Sequence, residues 1–143
     1  VRLNANCNAN GELTLDVLAA ERLADELITA ELAKQNQMWG RSNERADASK
    51  GQLFHAAMAQ QDALWARQLG EPKAFDEAPL IYPEDWSGFR DYGSDIANIV
   101  VAISYLTQEV KRKLMNGEDY TRLARTPDQA YRPETGLPNT VEA

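Results

Sequence analysis

Cysteine and histidine are nearly absent from this chain: there is one of each, Cys7 and His55, among 143 residues. One cysteine excludes an intrachain disulfide and fits a reducing compartment. A tetrahedral zinc site draws on several such ligands, so zinc held by His and Cys is excluded as well. One His and one Cys do not assemble a Ser-His-Asp or Cys-His catalytic set. The eight glycines stand mostly singly, at the ends of patterned segments, so there is no glycine-rich phosphate loop. Positive charge is also in deficit, with a net charge of −7. An acidic chain does not attract a phosphate backbone through its overall field, and direct nucleic-acid binding is not expected. The densest basic run, Lys111, Arg112 and Lys113, reads as the charge-complemented end of a helix. No apolar run approaches the ~20 residues that a bilayer requires. The first twelve residues, VRLNANCNANGE, lack the apolar core of a signal peptide. A cytoplasmic protein of the host cell, with no membrane partner, is the resulting expectation.

What is present is an ordinary globular mixture, 43% hydrophobic and 26% charged, of the size of one domain. Residues 1–13 are rich in Asn and read as an irregular lead-in. Residues 14–125 read as a single helical domain, and residues 126–143, broken by three prolines, as an irregular or disordered tail. Thr14 is the expected N-cap of a first helix, on which Leu18, Leu23, Leu27, Ile28 and Leu32 recur at helical spacing; Gly40 stops it. A polar loop, RSNERADASK, leads to a capping box at Ser49–Gln52 and a second helix that ends at Gly70. A packed, proline-rich loop spans 71–93, with a turn of helix after Pro83. The third helix, DIANIVVAISYLTQEVKRK, is the most strongly patterned stretch. Ile96, Ile99, Val100, Ile103, Leu106, Val110 and Leu114 follow steps of three and four. With Val101 and Ala102 added, it is apolar around more than half its girth. It is therefore expected at the centre of a bundle or along the seam of a homodimer. A short helix over EDYTRLA completes the fold class: all-α, a small bundle of three long helices plus a short C-terminal one, with no sheet of any size.

Two acidic pairs are the candidates for metal chemistry. Glu21 and Asp25 on the first helix are four residues apart, as are Asp91 and Asp95 at the start of the third. Like charges at this spacing repel by about 0.2–0.5 kcal/mol, which a hard cation removes. Mixed charge on a solvated face accounts for the same residues without a metal. Trp39, Trp86 and Tyr92 are the candidate anchors for a binding partner, since aromatic side chains dominate interaction hot spots.

The segment SDIANIVVAISYL resembles the last core helix of MazG-like nucleotide pyrophosphohydrolases, in which an acidic motif precedes an apolar run. The resemblance implies a related bundle and Mg²⁺-dependent hydrolysis, with the last acid of the motif falling near Asp95 or Asn98. The family's doubled Glu, with a third Glu one turn on, has no clean match here. A broader resemblance covers residues 31–115. ELAKQNQMWG, GQLFHAA, PEDW and AISYLTQEV are similar to segments of small phage- and prophage-encoded proteins, most of which carry no assigned activity. Three expectations follow. The first, leaning away from an enzyme and needing no cofactor, is a phage-type accessory protein that binds a host protein or a small ligand, as an inhibitor of a defence or replication factor would. The second is a MazG-like pyrophosphohydrolase with an altered site, using Mg²⁺. The third is an oligomeric structural or assembly protein.

Overall fold

A computed structural model of the chain describes residues 5–7, 13–41, 45–70 and 78–123. It opens with two short strands, β1 (Ala5–Cys7) and β2 (Leu13–Leu15), paired antiparallel with Ala5 opposite Leu15. The irregular lead-in expected from the sequence thus contains a small ribbon. Strands of three residues carry too few alternations to register as a period-two pattern. Because Thr14 lies in β2, the helix cap moves two residues on. Asp16 takes it, its Oδ1 accepting the N–H of Ala19 at 2.8 Å, and α1 runs Val17–Trp39. Gly40, at φ 76°, ends α1 and donates its N–H to Asn36 O at 2.9 Å.

A 3-10 turn at Ala46–Ala48 precedes α2 (Gln52–Gln68). The capping box expected from Ser49 is not used. Gly51 stands at the cap with φ 79°, and Gln52 Oε1 accepts the N–H of Lys50 at 2.6 Å. The loop from 78 to 94 makes a turn in which the N–H of Trp86 reaches Pro83 O at 3.1 Å. Ser94 then caps α3 (Asp95–Met115), with Asp95 in the first turn and Arg112 and Lys113 in the last, as the helix dipole favours. The expected C-terminal helix is not formed over residues 118–123, which run as chain and turns. Asp119 Oδ1 holds that turn by accepting the N–H of Thr121 at 2.8 Å. Ala124 and the tail lie outside the described residues.

Three long helices make this an all-α bundle, and α3 is the element that packs against both others. Asn36 of α1 meets Gln108, and Trp39 meets Tyr105, so α1 runs antiparallel to the C-terminal half of α3. Gln60 of α2 meets Asn98, and Arg67 meets Asp95, so α2 runs antiparallel to its N-terminal half. The two helices therefore follow one another along a single partner. The core is small: Leu53, Ala56 and Ala57 of α2 meet Val101, Ala102 and Tyr105 of α3, with Ala48 beside them. Alanines on α2 allow the close approach that brings polar side chains of the two helices within hydrogen-bond reach. Among the described residues no helix is long and apolar enough to cross a membrane.

The orientation of α3 departs from the sequence reading. Its buried residues are Asn98, Val101, Ala102, Ser104, Tyr105, Gln108 and Glu109. Ile96, Ile99, Ile103, Val110 and Leu114 of the aliphatic stripe are exposed, from 37% at Ile103 to 65% at Ile96, while Leu106 is partly buried and packs against the core. The polar face wins the interior because Gln60, Arg67 and Asn36 supply partners for it there. On α1 only Ala19 and Gln35 are buried, and Val17, Leu18 and Leu27 are exposed.

Candidate functional site

Where the C-terminal end of α1, the 3-10 turn and the loop before α3 meet, they enclose a cavity of about 490 Å³. Aromatic rings share its walls with charged and polar side chains: Trp39 comes from α1, Tyr105 from α3, and Tyr82, Trp86, Phe89 and Tyr92 from the loop. Each ring is held by its neighbours. Trp39 stacks on Tyr105 at 6.4 Å between centroids, and Trp86 lies tilted against the same ring at 6.2 Å. Tyr82 meets Phe89 edge-on at 5.3 Å and Trp86 at 6.2 Å, geometries that the aromatic quadrupole favours. The Trp86 indole donates to Asp47 O at 2.8 Å, which fixes the ring to the 3-10 turn.

Arg45 organises one wall. Its guanidinium lies 5.3 Å from the Trp86 ring centre and 5.8 Å from that of Trp39, within cation–π range of both. Its Nε donates to Asp47 Oδ1 at 2.8 Å, and Nη2 donates to the other carboxylate oxygen. Hydrogen bonding to Arg45 holds the Asp47 carboxyl below its ordinary range. Burial pushes the Tyr105 hydroxyl far up and the Tyr82 hydroxyl up, so both stay neutral at physiological pH. Arg90 sits over the Tyr92 ring at 5.2 Å. Lys34 also lines the cavity, so three cations face two carboxylates, Asp47 and Asp85, in a chain that is acidic as a whole.

The three aromatic residues proposed as anchors, Trp39, Trp86 and Tyr92, all line this one cavity. Arg45, Tyr82, Phe89, Arg90 and Tyr105 were not selected from the sequence. Arg45 lies in a segment that reads only as a polar loop, and Tyr105 is embedded in a hydrophobic helix. No local pattern announces that residues some sixty positions apart share a wall.

The acidic candidates fall differently. Asp91 and Asp95 do converge, and what they converge on is Arg67. Its Nε donates to Asp95 Oδ1, Nη1 to Asp91 Oδ1 and Nη2 to Asn98 Oδ1, each at 2.9 Å. Asn98 Nδ2 donates to Gln60 Oε1 at 2.6 Å, and Gln60 Nε2 donates to Arg90 O at 3.0 Å. This chain of polar contacts pins the end of α2 to the start of α3 and reaches the floor of the aromatic cavity. Glu21 and Asp25 are exposed on α1. The four carboxylates do not form one cluster: among the described residues, no group of three or more His, Cys, Asp or Glu is placed to hold a metal ion. His55 lies half-buried beside Phe54, 6.0 Å between rings, on a shallow hollow with Gln52 and Asp85. Cys7 lies in β1.

No protein-family model, no curated protein and no solved structure matches the chain.

Proposed function

We propose that this chain is a non-catalytic, phage-type accessory protein that acts by binding, and that the aromatic cavity is where it binds a small ligand. The convergence of Trp39, Trp86 and Tyr92 on one concave surface supports this reading. A volume of about 490 Å³ lies in the range of small-molecule sites. Aromatic rings offer stacking surfaces to a planar ring system. Arg90 and Lys34 offer hydrogen bonds and charge to an anionic substituent. A planar, anionic small molecule, such as a nucleotide, matches both features. In this reading the protein works in the host cytoplasm as a homodimer, and its acidic exterior is suited to a basic site on a host factor.

A titration of tryptophan fluorescence with nucleoside mono- and triphosphates tests the proposal. Saturable quenching that is lost in Arg90→Ala and weakened in Trp86→Leu supports it. The absence of any saturable change across planar anionic compounds counts against it. Recovery of the ligand unchanged, with or without Mg²⁺, separates a binder from the MazG-like alternative. That alternative gains nothing from Asp91 and Asp95, because the Arg67 cation engages both.

A further inference from the structure

The walls of the aromatic cavity differ in depth. Of the side chains that line it, Gln60 and Tyr105 are buried, at 2% and 7% exposure, and they form its floor. Lys34, Met38, Asp85 and Arg90 are exposed and form its rim. Several polar groups between the two are already engaged. Arg45 pairs with Asp47, and the Trp86 indole donates to Asp47 O. Tyr82 Oη donates to Ser87 O at 3.3 Å. On the floor itself, the Gln60 amide donates to Arg90 O and accepts from Asn98 Nδ2.

Tyr105 is the exception. Its ring packs against Trp39 and Trp86, yet its hydroxyl has no hydrogen-bond partner among the described residues. That oxygen is not sealed in either. The fully buried side-chain atoms without a partner among the described residues are Gln35 Oε1, Asp91 Oδ2 and Glu109 Oε2. The Tyr105 oxygen therefore opens onto the cavity that its residue lines. Burial keeps the hydroxyl protonated at physiological pH, so it offers one O–H and two lone pairs. A buried phenol normally has a partner, and here the cavity is the side from which one can come. A ligand that displaces solvent from this hydroxyl has to replace the hydrogen bond it removes.

Resting on the reading of this cavity as a small-molecule site, we infer that Tyr105 is its specificity-determining residue. Its hydroxyl on the floor selects a heteroaromatic ring with a hydrogen-bonding edge at the end remote from the anionic substituent, as a nucleobase has. The anionic group belongs at the rim. Lys34 and Arg90 stand there within reach of water, so the charge is matched without being stripped of its hydration. The floor suits it poorly. The Tyr105 hydroxyl is neutral, and the Glu31 carboxylate opposes negative charge there more strongly than Arg45 favours it. A planar hydrocarbon ring of the same size would fill the cavity and leave Tyr105 dry and unpaired. A site built to hydrogen-bond its ligand rejects the analogue that lacks the partner atom.

Isothermal titration calorimetry of the full chain with the common ribonucleoside monophosphates and with 1-naphthyl phosphate tests this. Both kinds of ligand present a flat ring and a phosphate, and only the nucleotides carry a polar ring edge. At least one nucleotide is expected to bind about tenfold more tightly than 1-naphthyl phosphate, the contribution of one hydrogen bond to a buried group. Tyr105→Phe is expected to remove that preference. Its urea midpoint is expected to stay at or above that of the wild type, because the lost oxygen holds nothing within the chain. 1-Naphthyl phosphate binding as tightly as every nucleotide or more tightly, a preference that survives in Tyr105→Phe, or a lowered midpoint in that variant overturns the inference and leaves the cavity a binding site. Binding of neither class removes the small-ligand reading itself, and the inference with it.

Discussion

Arg67 Nη2 donates to Asn98 Oδ1 at 2.9 Å, joining the last turn of α2 to the fully buried Asn98 in the first turn of α3. The same guanidinium satisfies two carboxylates, and Asp91 is the more demanding of them. Its side chain is only 4% exposed, and its Oδ2 has no hydrogen-bond partner.

Arg67→Ala is therefore expected to leave a buried carboxylate without its cation. Hydrogen bonds to charged groups contribute about 1.5–3 kcal/mol, and the loss of stability is expected in that range. The exposed Asp95 contact adds little to it. Urea unfolding followed by circular dichroism measures the change. Arg67→Lys is expected to recover only part of it, because an ammonium does not reproduce the three-way fork. An unchanged midpoint in Arg67→Ala would remove the clamp from the account of the fold.

Leu53 and Ile99 are expected to behave differently on truncation. Leu53 is buried within one chain, and Leu53→Ala is expected to cost about 2–5 kcal/mol at any protein concentration. Ile99 is exposed on α3. Ile99→Ala is expected to lower the thermal midpoint mainly at high protein concentration, where association contributes to stability. Thermal melts at several concentrations separate the two. An Ile99→Ala effect as large as that of Leu53→Ala and independent of concentration would place Ile99 in the core of the single chain.

Asp47 gives a pH dependence of definite sign. Its carboxyl pKa is lowered in the folded chain, chiefly by its hydrogen bond from Arg45. A carboxylate of depressed pKa stabilises the fold above its unfolded value of about 3.9 and loses that contribution as pH falls through the folded value. The Asp47–Arg45 contribution is thus expected to be constant from neutral pH to about 5 and to disappear below about 4. Arg45→Met is expected to bring the Asp47 titration back to the ordinary range, read by NMR of the side-chain carboxyl. The same variant is expected to alter tryptophan emission, because the guanidinium lies over both Trp39 and Trp86.

Gly51 stands at the cap of α2 with φ 79°, and a Cβ there would meet nothing within 4 Å. Any penalty is therefore conformational. Gly51→Ala is expected to cost about 1–2 kcal/mol, the usual price of a left-handed conformation with a side chain. A neutral or stabilising result in chemical denaturation would show that the cap shifts its conformation freely.

Much of the architecture is written locally. The three-four spacing from Ile96 to Leu114, Ser94 before it and Lys111 to Lys113 at its end dictate a helix whatever lies around it, since caps, dipole and periodicity all act within a few residues. The stops at Gly40 and Gly70 are local in the same sense. So is the exclusion of an intrachain disulfide and of zinc held by His and Cys, which needs only the residue counts. The N-terminal ribbon and the Asp16 cap escaped because three-residue strands leave no period to read.

Which side of α3 turns inward is not local. The helix offers an aliphatic face and a mixed face. The mixed face was chosen because Gln60 and Arg67, some thirty to forty residues away, bring the partners that Asn98 needs, while small alanines on α2 let the backbones approach. The same long-range contacts decided that Asp91 and Asp95 close on a guanidinium and that Trp39, Trp86 and Tyr92 share one cavity. Sequence periodicity reports that one side of the helix is aliphatic. It carries no information on which side packs inward, because that depends on shapes and partners brought together only when the chain folds.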